Sequence, residues 1–92
     1  MRVIPLKKIE NFDYRDILRL IVGSAQAAPS MNIEQVRRSV AILDALDSAE
    51  EELRLDERDW QYVCQRVKDA QWQVATKEII GFVDAVELAK EE

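Results

Sequence analysis

A chain of 92 residues has room for one domain, and at this length only about 60–65% of the surface exposed in the unfolded state is buried, so the core is thin. Apolar residues make up 48% and charged residues 34%, with two glycines and two prolines, which suits a helical globular chain and excludes a disordered segment or a disulfide scaffold. The chain has no histidine, a single cysteine at Cys64 and a net charge of −5. These counts remove the usual general base at neutral pH, the commonest metal ligand and any intrachain disulfide, and they oppose binding to a phosphate backbone.

The first residues, Met1 to Ile9, contain Pro5 and show no helical period, so residues 1–10 are predicted to form an extended arm. Their apolar stretch Val3-Ile4-Pro5-Leu6 is too short for a signal-peptide core, and no run approaches the roughly 20 residues of a membrane span. A cytoplasmic location is expected. Asp13 is placed to cap a first helix with Asp16 in its opening turn and Ile17, Leu18, Ile21 and Val22 on one face. Gly23 is a natural stop. The small residues 24–31 then read as a mobile connection, the alternative being continuation of the helix through the alanines.

Asn32 with Gln35 has the form of a capping box, and Ile33, Val36, Val40 and Leu43, with Ile42 and Leu46, recur at helical spacing. Leu53-Arg54-Leu55 alternates like a strand and could pair with the N-terminal arm. Asp56 and Asp59 signal a third helix whose stripe is Trp60, Val63, Cys64 and Val67, with Arg58, Gln61, Gln65, Arg66 and Asp69 opposite. Thr76 caps a last helix carrying Ile79, Ile80, Val83 and Val86. The expectation is an all-α fold, a small bundle of about four helices with a short extended N-terminal arm, forming one domain over residues 1–92.

The candidate chemistry is sparse. Residues 44–59 hold Asp44, Asp47, Glu50, Glu51, Glu52, Asp56, Glu57 and Asp59 against Arg54 and Arg58, but a calcium loop starting at Asp47 would put Ala49, Glu52 and Arg58 where an acidic ligand, a glycine and the bidentate glutamate belong. Cys64 lies on an apolar stripe with no histidine to activate it, and Gly23 and Gly81 are too far apart for a phosphate loop. Neither an enzyme activity nor a cofactor, metal or small-molecule substrate is therefore expected. Residues 1–46 hold seven basic and five acidic side chains and residues 47–92 six and thirteen, giving halves of +2 and −7.

The arm and short helix, the helix Val36-Arg37-Arg38-Ser39-Val40-Ala41-Ile42-Leu43, the segment Leu53-Arg54-Leu55-Asp56 and the closing helix Ile80-Gly81-Phe82-Val83-Asp84-Ala85-Val86 resemble small helical proteins of unassigned function encoded by tailed bacteriophages and prophages. That resemblance covers most of the chain, implies no catalytic residues, and would place in the arm a glycine-containing turn that this sequence lacks. It implies an accessory role in phage assembly or host takeover. The residues themselves point to a protein–protein interaction module, binding a partner or a second copy, with an acidic decoy for a DNA-binding protein as the alternative. Glu50, Glu51 and Glu52 are the expected steering charges, and Trp72 and Phe82 the candidate apolar anchors.

Overall fold

The computed structural model describes residues 1–23, 32–70, 72 and 75–91. The first strand, β1 (Arg2–Pro5), is followed by a small hairpin of β2 (Lys8–Ile9) and β3 (Phe12–Asp13), and helices α1 (Tyr14–Gly23) and α2 (Ile33–Ser48) come next. Strand β4 (Glu52–Leu55) leads directly into α3 (Glu57–Asp69), and α4 (Lys77–Glu87) ends in a last strand, β5 (Lys90–Glu91). The expected all-α bundle is thus corrected to a mixed fold, because the extended arm is a sheet strand and not a free tail.

Strand β1 is the centre of a three-stranded antiparallel sheet of order β4-β1-β5. Arg2, Val3, Ile4 and Pro5 face Leu55, Arg54, Leu53 and Glu52, while Arg2 and Val3 also face Glu91 and Lys90. The three-residue alternation of Leu53-Arg54-Leu55 was a true signal: both leucines are buried under the sheet with Ile4, and Arg54 faces out. In the second sheet, Ile9 pairs with Phe12 across Glu10, whose φ of 53° lies in the left-handed region where a glycine would be relaxed. A turn therefore does stand in the arm, with Glu10 taking the strained position.

The helix starts follow their caps. Asp13 accepts from the Arg15 amide at 2.9 Å, Asn32 and Gln35 form the reciprocal box at 2.9 Å each, Asp56 accepts from Asp59 at 2.8 Å, and Thr76 accepts from Ile79 at 3.3 Å. Their buried faces are less faithful to the predicted stripes. Helix α2 buries Ser39, Ile42 and Leu46, whereas Val36 and Val40 are 39% and 50% exposed and Ile33 is also exposed. Apolar residues occupy more than one face of this helix, and its neighbours select which one turns inward: the Tyr62 hydroxyl of α3 meets the Ser39 hydroxyl at 2.7 Å, seating the small residue in the contact. Helix α4 likewise buries Phe82 and Val86 and leaves Ile80 exposed. Leu18, Ile21, Val63 and Val67 are buried as expected, with Ile17, Leu43, Trp60 and Val83 half-buried around them. The connection over residues 24–31 lies outside the described residues.

Side chains from elsewhere close the helix C-termini. Arg15 of α1 donates to the carbonyls of Leu46, of Ala49 at 2.6 Å and of Glu50 at 3.0 Å, covering the end of α2. Arg66, assigned to a polar face by its spacing, is instead buried and donates from Nε to Ile21 O at 3.3 Å, at the end of α1. Trp60 Nε1 donates to Val86 O at 2.8 Å near the end of α4, and Arg2 lies 4.0 Å over the Trp60 ring while donating to Ala89 O at 3.0 Å. Cations at helix C-termini satisfy orphan carbonyls and the negative end of the dipole together.

Candidate functional site: the acidic margin of the sheet

The segment joining α2 to β4 carries Glu50 and Glu51, and β4 begins with Glu52; all three side chains are exposed. The backbone beneath them is fixed at two points, since Glu50 O accepts from Arg15 and Glu51 O accepts from the Leu6 amide at 2.9 Å. Helix α2 has to end here because β4 must turn back beside β1. The carboxylates therefore project from a tied corner of the fold.

Their electrostatic surroundings divide the acidic run into answered and unanswered charges. Asp47 meets Arg19 of α1 at 2.7 Å, Glu57 meets Arg2 of β1 at 2.9 Å, and Glu52 meets Arg54 on the same strand at 3.4 Å. The Arg2 hydrogen bond holds the Glu57 carboxyl below its ordinary range, whereas Asp59 is pushed up, first by burial and then by nearby Asp56. Among the described residues Glu50 and Glu51 have no ion pair. Among the same residues Asp44, Asp56 and Asp59 have none either, but Asp56 is engaged in capping α3 and Asp59 is partly buried, so Glu50 and Glu51 are the adjacent exposed, uncompensated pair just before β4.

The predicted apolar anchors are placed elsewhere. Phe82 has no exposed surface and sits within edge-on contacts from Phe12, Tyr14 and Trp72, with ring centroids 6.2, 5.2 and 6.2 Å away, so as a partner anchor it is corrected to a core residue. Trp72 is half-buried against the core. No hydrogen bond among the described residues joins it to the three glutamates, and its ring contact is with Phe82. Cys64 is half-buried, and burial raises its thiol pKa, which disfavours the reactive thiolate.

Two arginines complete the margin, of which the sequence singles out Arg54 and not Arg15. Arg15 fixes its backbone and Arg54 sets charge of the opposite sign two residues from Glu52. The alternation Glu52-Leu53-Arg54-Leu55 was the available sign of Arg54, whereas nothing local marked Arg15, whose acceptors lie 31 to 35 residues away. Between the outer face of β1 and α4 runs an open groove lined by Val3, Pro5, Gly81, Ala85 and Leu88, with Lys7, Glu52 and Asp84 among its polar residues. No helix among the described residues is long and apolar enough to cross a membrane. Comparisons with family models, with curated proteins and with solved structures gave no match to the chain.

Proposed function

We propose that this protein is a non-enzymatic interaction module whose acidic sheet margin receives a basic surface of a protein partner. The observation that supports this reading is the pair Glu50 and Glu51, exposed, without an ion pair among the described residues, and carried on a backbone pinned by Arg15 and Leu6. A backbone held in this way loses little freedom on docking, and the exposed carboxylates act mainly on the rate of encounter, an effect that salt screens. The setting we propose, following the sequence resemblance, is assembly of a tailed phage or takeover of a host protein.

The test is retention of proteins from bacterial lysate and virion fractions on the immobilised chain at roughly 50 and 300 mM salt, where the Debye length changes by more than twofold. We expect a salt-sensitive retained protein whose association slows for the Glu50→Gln/Glu51→Gln variant. Equal retention by that variant and the native chain at both salt concentrations refutes the assignment of this margin.

A further inference from the structure

The sheet has two margins of unlike character. On one side β5 pairs only with Arg2 and Val3, and the next β1 residue turned toward that margin is Pro5, which has no N–H to offer and lines the groove beside α4. Proline and a very short edge strand are devices that block further pairing. The other margin, β4, has neither.

The Leu6 amide donating to Glu51 O fixes the phase of the β1–β4 ladder. Residues 51, 53 and 55 turn their backbone groups toward β1, so the N–H and C=O of Glu52 and Arg54 point away from it. No strand joins that side among the described residues, and Glu50, Glu51, Glu52, Arg54 and Asp56 are all exposed along it. An uncovered row of outward donors and acceptors is a template for another strand.

We propose that β4 of a second copy of this chain occupies this edge in antiparallel orientation, giving an isologous dimer with one continuous sheet of order β5-β1-β4-β4-β1-β5. Within β4 (Glu52–Leu55), charge selects both the occupant and its register. Pairing Arg54 with Arg54, or Glu52 with Glu52, across the two-fold axis opposes like charges. Setting the axis at Leu53 instead places Glu52 of each copy opposite Arg54 of the other, and both residues have the outward backbone groups that an exchanged pair of N–H···O bonds requires. Glu52 and Arg54 already meet at 3.4 Å within one strand, so the dimer closes a ring of alternating charges on the outer face. Beyond the paired segment the same arrangement sets Glu50 of one copy opposite Asp56 of the other, a like-charge contact between exposed side chains that salt screens. This association does not depend on the basic-partner reading, and it is measured on the isolated protein.

The experiment is sedimentation equilibrium of the native chain and of two exposed-site variants, Glu52→Arg and Arg54→Glu, at concentrations from roughly 10 μM to 1 mM, the range suited to a small edge-to-edge interface. The native mass is expected to rise from 10.6 kDa toward twice that value. Each variant alone opposes like charges and should stay monomeric or associate at least about tenfold more weakly. An equimolar mixture should recover the dimer, because two arginines on one edge then face two glutamates on the other. Circular dichroism of each variant establishes that it is folded. A native chain that remains monomeric throughout, a dimer untouched by either reversal, or folded variants that fail to associate on mixing would each overturn the proposal.

Discussion

Replacing Arg15 with methionine keeps most of the aliphatic stem and removes the guanidinium that closes the end of α2. That group donates to three carbonyls, of Leu46, Ala49 and Glu50, and so ties α1 to both the last turn of α2 and the start of the acidic margin. A hydrogen bond to a charged group contributes about 1.5–3 kcal/mol, but these acceptors are near the surface, where water replaces part of the loss. Adding about 0.3–1 kcal/mol for the helix dipole, we expect a net cost of about 2–3 kcal/mol. Against a total stability of about 5–10 kcal/mol for a domain of this size, the thermal midpoint should fall by roughly 10–15 °C. Urea and thermal unfolding at neutral pH measure this directly. Arg15→Lys should recover less than half, because a compact ammonium cannot fan across the same carbonyls. A methionine variant within about 0.5 kcal/mol of the native chain would refute the view that this side chain closes α2.

Phe82→Ala should cost about 3–5 kcal/mol and Ile80→Ala under about 1 kcal/mol, since the first is fully buried and the second 63% exposed; a reversed order in chemical denaturation would contradict the placement of α4. Gly81→Ala should raise stability by about 0.5–1 kcal/mol, because the added methyl meets only the Tyr14 hydroxyl at an ordinary 3.5 Å, and a lower midpoint would count against that spacing. Glu57 has a lowered folded-state pKa, so its contribution is present above its ordinary value of 4.5 and is lost as pH falls through the lowered one. Arg2→Gln removes the principal cause, and stability followed against pH should then decline less steeply through that acid window. Parallel curves would show that the Arg2–Glu57 pair does not set the shift.

The helices were legible because their signals are local. Asn32 with Gln35, Asp56 with Asp59, and Thr76 before Ile79 each place a side-chain acceptor within reach of an amide three residues on, and each cap forms. The sheet was only partly legible. β1 and β4 have four residues each and β5 two, too few for a period to stand out, and Lys90-Glu91 has the composition of a solvated tail. It becomes a strand through its backbone, when Arg2 and Val3 lie alongside. Helix α2 failed in another way: its apolar residues exceed one face, so Ser39, Ile42 and Leu46 are turned inward by packing that spacing does not encode. Phe82 was misplaced because its aromatic neighbours are not local to it: Phe12 and Tyr14 come from the β3–α1 junction and Trp72 from the stretch before α4.

The division into a basic first half and an acidic second half is a property of the sequence that folding partly offsets. Arg2 crosses to Glu57, Arg19 crosses to Asp47, and Arg15 is directed to backbone carbonyls, so three of the first half's cations are engaged by the second half or by the junction leading to it. A run of eight acids between residues 44 and 59 therefore does not present eight uncompensated charges. The carboxylates of Glu50 and Glu51 differ from Asp47 and Glu57 in one respect: no arginine of α1 or β1 is brought to them. Arg15 comes close enough to bond Glu50, but to its carbonyl and not its carboxylate. Availability of charge at this margin is thus decided by the antiparallel pairing of β1 with β4, which sets Arg2 near the start of α3 and leaves the opposite end of β4 open. A decoy imitating a phosphate array requires an unbroken face of uncompensated acids. The exposed Glu50 and Glu51 form a short pair on a pinned backbone and not such a face.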